Sequence, residues 1–122
     1  MAVQIPPRPL NHGEKEVLEC ILGADFPGSA ELRSQVGEAE VVSLWGDGSV
    51  SVDLRVPEDT AKADLVSGVA PVEATVVDDT GELVGEILVW VDRGRLAGLE
   101  YAWYGADAPT SLPPAENINV LA

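Results

Sequence analysis

Few side chains in this chain are of the types that make and break bonds, and their spacing keeps them apart. His12 is the only histidine and Cys20 the only cysteine among 122 residues. A Ser-His-Asp or Cys-His arrangement would therefore rest on one imidazole at a helix start with no partner indicated. Helix entry is the plainer role for His12. Cys20 adjoins Ile21 and Leu22 with no base near it in sequence, which reads as apolar packing rather than nucleophilic or redox duty. One Cys and one His exclude a zinc site in practice, and neither Asp47-Gly48 nor Asp78-Asp79 has EF-hand spacing. Gly46-Asp47-Gly48 lies in a predicted hairpin and opens no helix, so it is not a phosphate-binding loop. No cofactor and no metal are called for.

Carboxylates remain. Val76-Val77-Asp78-Asp79-Thr80-Gly81 resembles the way pepsin-like and retroviral aspartic proteases present a catalytic Asp, where two such groups share one proton and a short chain must dimerise. The sequence departs from that pattern: Asp78 interrupts the apolar lead-in, and Glu82 follows the glycine where a small residue is preferred. A charged hairpin turn explains the same letters. Glu86 and Glu100 are the other candidate acid and base, but simple strand alternation sends them to opposite sheet faces, where they cannot cooperate. The reading is that the chain is not an enzyme.

The net charge then decides what it can touch. Twenty-one acids face seven bases, a formal charge of −14, while 46% apolar residues mark a folded body rather than a disordered acidic chain. Residues 1–37 hold five acids and three bases; residues 38–122 hold sixteen acids and four bases. Such a field repels nucleic-acid phosphates and anionic lipids, so neither nucleic acid nor a membrane surface is an expected partner, and it speeds encounter with basic proteins. An acidic shell also serves plain solubility. The lone cysteine forms no internal disulfide, Pro6, Pro7 and Pro9 interrupt any signal-like start, and the Leu83–Val91 run is too short to span a bilayer, which together suggest a cytoplasmic protein.

The elements that must position these groups follow from periodicity. Asn11 with Glu14 forms a capping-box pattern, and Val17, Leu18, Ile21 and Leu22 recur on one face, predicting a helix from His12 to Gly23. Ser29 caps a second, two-turn helix carrying Leu32 and Val36, which Gly37 stops. Beyond Ala39 the period becomes two. Strands are predicted over Ala39–Trp45, Val50–Val56, Pro71–Val77, Glu82–Val91 and Arg95–Tyr104, with turns at Gly46–Ser49, Asp78–Gly81 and Arg93-Gly94. Pro57–Ala70 reads as a loop with a helical turn near Ala61–Leu65. The expected architecture is α+β: one domain over 1–122, with an extended arm at 1–10, helices in 11–37, a five-stranded antiparallel meander in 38–104, and an extended Pro-rich tail at 105–122.

A two-residue Arg93-Gly94 turn pairs Val91 with Leu96, Trp90 with Ala97, Glu86 with Tyr101 and Val84 with Trp103. One face then gathers Trp45, Val50, Val52, Leu54, Val72, Ala74, Val76, Leu83, Ile87, Val89, Val91, Leu96, Ala102 and Tyr104 beneath the helices. The opposite face is polar in the early strands and, around Glu86, shows Val84, Leu88, Trp90, Leu99, Tyr101 and Trp103. An apolar patch of that kind needs a cover. Three covers are open: the tail through Leu112, Ile118, Val120 and Leu121; a second copy in a symmetric homodimer; or another protein, with Trp90, Tyr101, Trp103 and Leu88 as anchors and Glu73, Glu86 and Asp53 as an acidic rim.

The stretch Leu99-Glu100-Tyr101-Ala102-Trp103-Tyr104, followed by Asp107-Ala108-Pro109 and Pro113, resembles a group of small acidic actinobacterial proteins of unknown function. They share a helical start similar to Val17-Leu18-Glu19 through Ala24-Asp25-Phe26-Pro27-Gly28. The resemblance supports the fold and carries no activity. The resulting expectation is a non-catalytic acidic module that binds a basic protein, in the manner of immunity proteins that neutralise nuclease toxins, with a structural homodimer and a carboxylate enzyme as rivals.

Overall fold

A computed structural model describes residues 2–122. It is α+β, with two helices and an eight-stranded antiparallel sheet: β1 (Val3–Pro9), α1 (His12–Leu22), α2 (Ser29–Gln35), β2 (Glu40–Leu44), β3 (Val52–Arg55), β4 (Gly68–Val69), β5 (Glu73–Val77), β6 (Leu83–Asp92), β7 (Arg95–Trp103) and β8 (Ile118–Leu121). Short 3₁₀ turns follow α2 and precede β8. The capping box forms as the sequence dictates: Asn11 Oδ1 accepts the Glu14 N–H at 2.8 Å, and Glu14 Oε1 accepts the Asn11 N–H at 2.9 Å. His12 forms the first turn and meets Glu16 one turn on, Nε2 to Oε2 3.1 Å.

The sheet is not a five-stranded meander. Its order is β1-β2-β3-β7-β6-β5-β8, with β4 also on β6. The β6–β7 hairpin is inserted between β3 and β5, because the long segment after β3 crosses to the far side of β6 before pairing. No helical turn forms at Ala61–Leu65. That segment is instead tied down by polar bonds: Gln35, fully buried, donates from Nε2 to the carbonyls of Ala61 (2.8 Å) and Gly94 (2.9 Å) and accepts the Leu96 N–H at 2.8 Å. Ala63 N–H bonds the Gly94 carbonyl at 2.9 Å. One side chain therefore joins α2, the crossover and the β6–β7 turn. Arg93 and Gly94 both have positive φ, 52° and 80°, the two-residue turn expected from sequence.

Segments near both ends pair into the sheet, where sequence suggested an extended arm and an extended Pro-rich tail. The Pro-rich β1 is an edge strand, the one position where Pro6, Pro7 and Pro9 cost no ladder bonds, and it bulges between Gln4 and Arg8. Arg8 grips the buried carboxylate of Glu14 at both oxygens, 2.9 and 3.0 Å, which raises the Arg8 pKa and staples β1 to α1. At the other end β8 pairs with β5 over Glu73↔Leu121 to Val76↔Ile118, and Ile118 enters the core.

Helices and sheet enclose one continuous core. Val17, Leu18, Ile21, Leu22 and Leu32 pack with Val41, Val52, Leu54, Val76, Ile87, Val89, Leu96 and Leu99, all buried. Among the described residues, no helix is long and apolar enough to cross a membrane.

Candidate functional site

Two β-bulges decide what the uncovered sheet face carries. In β2, Val41 pairs with Leu54 but Ser43 pairs with Asp53, so Val42 is the extra residue. In β7, Leu96 pairs with Val91 but Gly98 pairs with Trp90, so Ala97 is extra. Beyond each bulge the faces exchange, as a one-residue slip requires.

The pairing is consequently Glu86↔Ala102, Ile87↔Tyr101, Leu88↔Glu100, Val89↔Leu99 and Gly85↔Trp103, not Glu86 with Tyr101, Val84 with Trp103 or Trp90 with Ala97. Leu99 and Tyr101 turn inward onto Val89 and Ile87; Tyr101 is 8% exposed, and burial raises its pKa. Gly85 makes room for it, since a Cβ there would come within 2.8 Å of Tyr101 Cε1 and 2.6 Å of the Ala102 carbonyl oxygen. Trp103 lies on neither the core nor the open face proper. It projects beyond the helices at the end of the sheet, 42% exposed, where Leu83, expected in the core, is also exposed. Ala102 and Tyr104 leave the core side to which alternation assigned them: Ala102 opposes Glu86, and Tyr104 Oη donates to Glu86 Oε2 at 3.2 Å. Of the seven candidate site residues, the open face holds Trp90, Leu88, Glu86, Glu73 and Asp53, and it does not hold Tyr101 or Trp103.

It gains two residues that alternation misassigned. Trp45, expected beneath the helices, donates its indole N–H to Asp53 Oδ1 at 3.1 Å, and Ser43 Oγ donates to Asp53 Oδ2 at 2.5 Å. Glu100, expected opposite Glu86, shares its face and accepts the Trp90 indole N–H at 3.0 Å. Trp90 itself lies across Gly98, where a Cβ would come within 3.3 Å of the Trp90 Cβ. Trp45 and Trp90 are thus each held at the indole N–H by a carboxylate. Val69 opposite Trp90, and Leu121 opposite Glu73, complete the apolar part. Two bases, Arg55 and Arg95, lie close together: Arg55 bonds Glu40 at 3.1 Å and Arg95 bonds the Glu58 carbonyl at 3.2 Å.

The tail does not cover this face. It crosses the helix side, where Ala115 N–H reaches Glu16 at 3.4 Å and Leu112 packs against the core, before β8 joins the sheet edge. Signals for the two bulges were present in sequence: Gly98 inside an apolar strand, and the doubled apolar pairs Val41-Val42 and Leu44-Trp45, which no strict alternation accommodates.

The remaining chemistry-bearing groups are occupied locally. Asp78 accepts at one oxygen from the Thr80 N–H and hydroxyl and from the Glu82 N–H; the Thr80 hydroxyl and then the Glu82 N–H hold its carboxyl below the ordinary range. That is a closed hairpin turn. Burial, then Glu16, raises the Cys20 thiol pKa, which lowers its thiolate fraction. Among the described residues, no group of three or more His, Cys, Asp or Glu side chains is placed to hold a metal ion. Comparison with protein-family models, with curated proteins and with solved structures finds no match to this chain.

Proposed function

We propose that the protein is a non-catalytic acidic binding module whose open sheet face engages a basic protein, an inhibitor in the manner of an immunity protein. The observation that carries this reading is the pairing of tryptophan with carboxylate across one face, Trp45 with Asp53 and Trp90 with Glu100. An indole whose N–H is held by a carboxylate offers a Lys or Arg side chain opposite charge and cation–π attraction together. Glu73 and Glu86 extend the negative field along the same face, while Val69, Leu88 and Leu121 supply the apolar centre that a specific interface needs.

The test is affinity capture from the native cytoplasm with wild-type protein and with the Glu73→Lys/Glu86→Lys variant, washed at low and high salt. A basic protein retained by the wild type, released by salt and lost on the double variant is the expected result. Equal recovery of the same proteins by both would sink the reading. The homodimer through this face is the rival outcome; light scattering at twice the chain mass, abolished by Trp90→Asp, would establish it instead.

A further inference from the structure

β3 abandons β7 partway along. The two strands pair only at Asp53↔Gly98 and Val52↔Leu99, whereas β7 continues to Trp103 with β6 on its other side. The cause is local. Ser51 turns its N–H back onto Ser49 Oγ at 3.1 Å, and its carbonyl accepts the Trp45 N–H at 3.0 Å to close the hairpin. Its hydroxyl, not the Val50 carbonyl, then takes the Tyr101 N–H at 2.9 Å. Beyond that bond a groove opens between the Gly46–Ser49 loop and the end of β7, with Ala108 and Pro109 at its far end and a volume of about 460 Å³.

The backbone facing this groove is unpaired. Tyr101 N–H points toward β3, and Tyr104 N–H points the other way, to the Val84 carbonyl at 3.0 Å. Strand alternation therefore aims the Tyr101 carbonyl and both the N–H and carbonyl of Trp103 into the groove. Among the described residues, none of these three groups meets a partner. An open stretch of strand edge is a template for another strand. Elsewhere the sheet guards its edges, with prolines in β1 and a four-residue β8; here it does not. Asp47 and Glu100 both line the groove, and Trp45 and Trp103 wall it.

Resting on the reading that the partner is basic, we propose that this notch receives a short extended segment of that partner, added antiparallel to β7, with lysine or arginine at alternate positions. One guest residue set opposite Trp103 exchanges two hydrogen bonds with it, accepting its N–H and donating to its carbonyl. Alternation then turns the residues on either side toward the face of Glu100, where a basic side chain finds the carboxylate. The guest residue opposite Trp103 points the other way, against the indole, and is apolar. The exposed edge from Tyr101 to Trp103 spans about 7 Å, a match for three guest residues.

The test uses ¹⁵N-labelled protein and two probes, acetyl-Lys-Val-Lys-Val-Lys-amide and the same peptide with both valine nitrogens methylated, which keeps the charge and removes the donors. The Trp103 amide resonance is expected to shift most and its hydrogen exchange to slow with the first peptide. The methylated peptide should bind about tenfold more weakly or worse, as loss of one or two ladder bonds requires, and Asp47→Lys should weaken the first peptide severalfold at low salt. Equal affinity for both peptides would overturn the notch. So would shifts centred on Leu88 and Trp90 with Trp103 unmoved, although that result would leave the acidic-face reading standing. No shift with either peptide overturns strand addition, and the capture experiment then judges the broader reading separately.

Discussion

The two faces of this sheet are built from the same strands and solve opposite problems. On the covered face Leu99 shares a core with Leu18, Leu22 and Leu32 of the helices, all at zero exposure, and the one deeply buried amide, Gln35 of α2, makes three hydrogen bonds. The open face leaves Leu88 and Trp90 half-buried and sets two of its carboxylates, Asp53 and Glu100, on indole N–H groups. Burial rewards shape on one side; on the other, polar groups hold aromatic rings in position at the edge of water. The lesson is that a strand's alternation assigns residues to faces only between bulges, and the bulges at Val42 and Ala97 determine which tryptophans look outward.

Breaking the comparison is simplest with matched leucines. Leu99→Ala on the covered face is expected to cost about 4 kcal/mol in urea unfolding, as full burial and an unrelaxed cavity imply, while Leu88→Ala on the open face is expected to cost under about 1 kcal/mol. Near-equal losses would mean that the open face is covered after all. Gln35→Met keeps the volume but leaves the Ala61 carbonyl and the Leu96 N–H without partners, while the Gly94 carbonyl keeps the Ala63 N–H, for an expected loss of about 2 kcal/mol. It should also loosen the crossover, visible as faster amide exchange at Ala63. Arg8→Ala strands the buried Glu14 carboxylate with only its Asn11 contact; a loss of about 2 kcal/mol is expected, reduced in Glu14→Gln/Arg8→Ala.

The smallest effect lies in the turn that resembled a catalytic motif. The Asp78 carboxyl is held below the ordinary range by Thr80 first and the Glu82 N–H second. A depressed folded pKa gives stability that is present above the unfolded value, about 3.9, and is lost as pH falls through the folded one. In an NMR titration Thr80→Ala should move the Asp78 midpoint upward toward about 3.9, with binding to any basic partner at neutral pH unchanged.

Much of the fold was legible because local rules and global fold agree there. Asn11 and Glu14 announce α1, the Val50–Val56 alternation announces β3, and Arg93-Gly94 announces the turn. The strand order was not legible from turn lengths alone. Short turns imply antiparallel neighbours, but the long segment after Arg55 is itself the sign that β3 and β5 need not touch. Prolines concealed β1, since an edge strand tolerates them; the Ile118-Asn119-Val120 alternation in β8 was present but lay behind Pro113-Pro114. Five of the seven expected site residues share the open face. Tyr101 and Trp103 left it, and Trp45 and Glu100 joined it, through one extra residue in each of two strands. Those displacements also moved Glu86 and Glu100 onto one face, where Tyr104 and Trp90 occupy them.

The most direct test of an open acidic face is paramagnetic broadening by a spin-labelled tetralysine peptide at low salt, read over the backbone amides and tryptophan indoles. Broadening should centre on Glu86, Leu88, Trp90 and Glu100 and spare the exposed side of α1 at Lys15 and Glu19, although that helix is acidic too. Broadening spread evenly over every acidic surface, helix included, would show that the charge is only a solvated shell and that the tryptophan–carboxylate face has no special part in recognition.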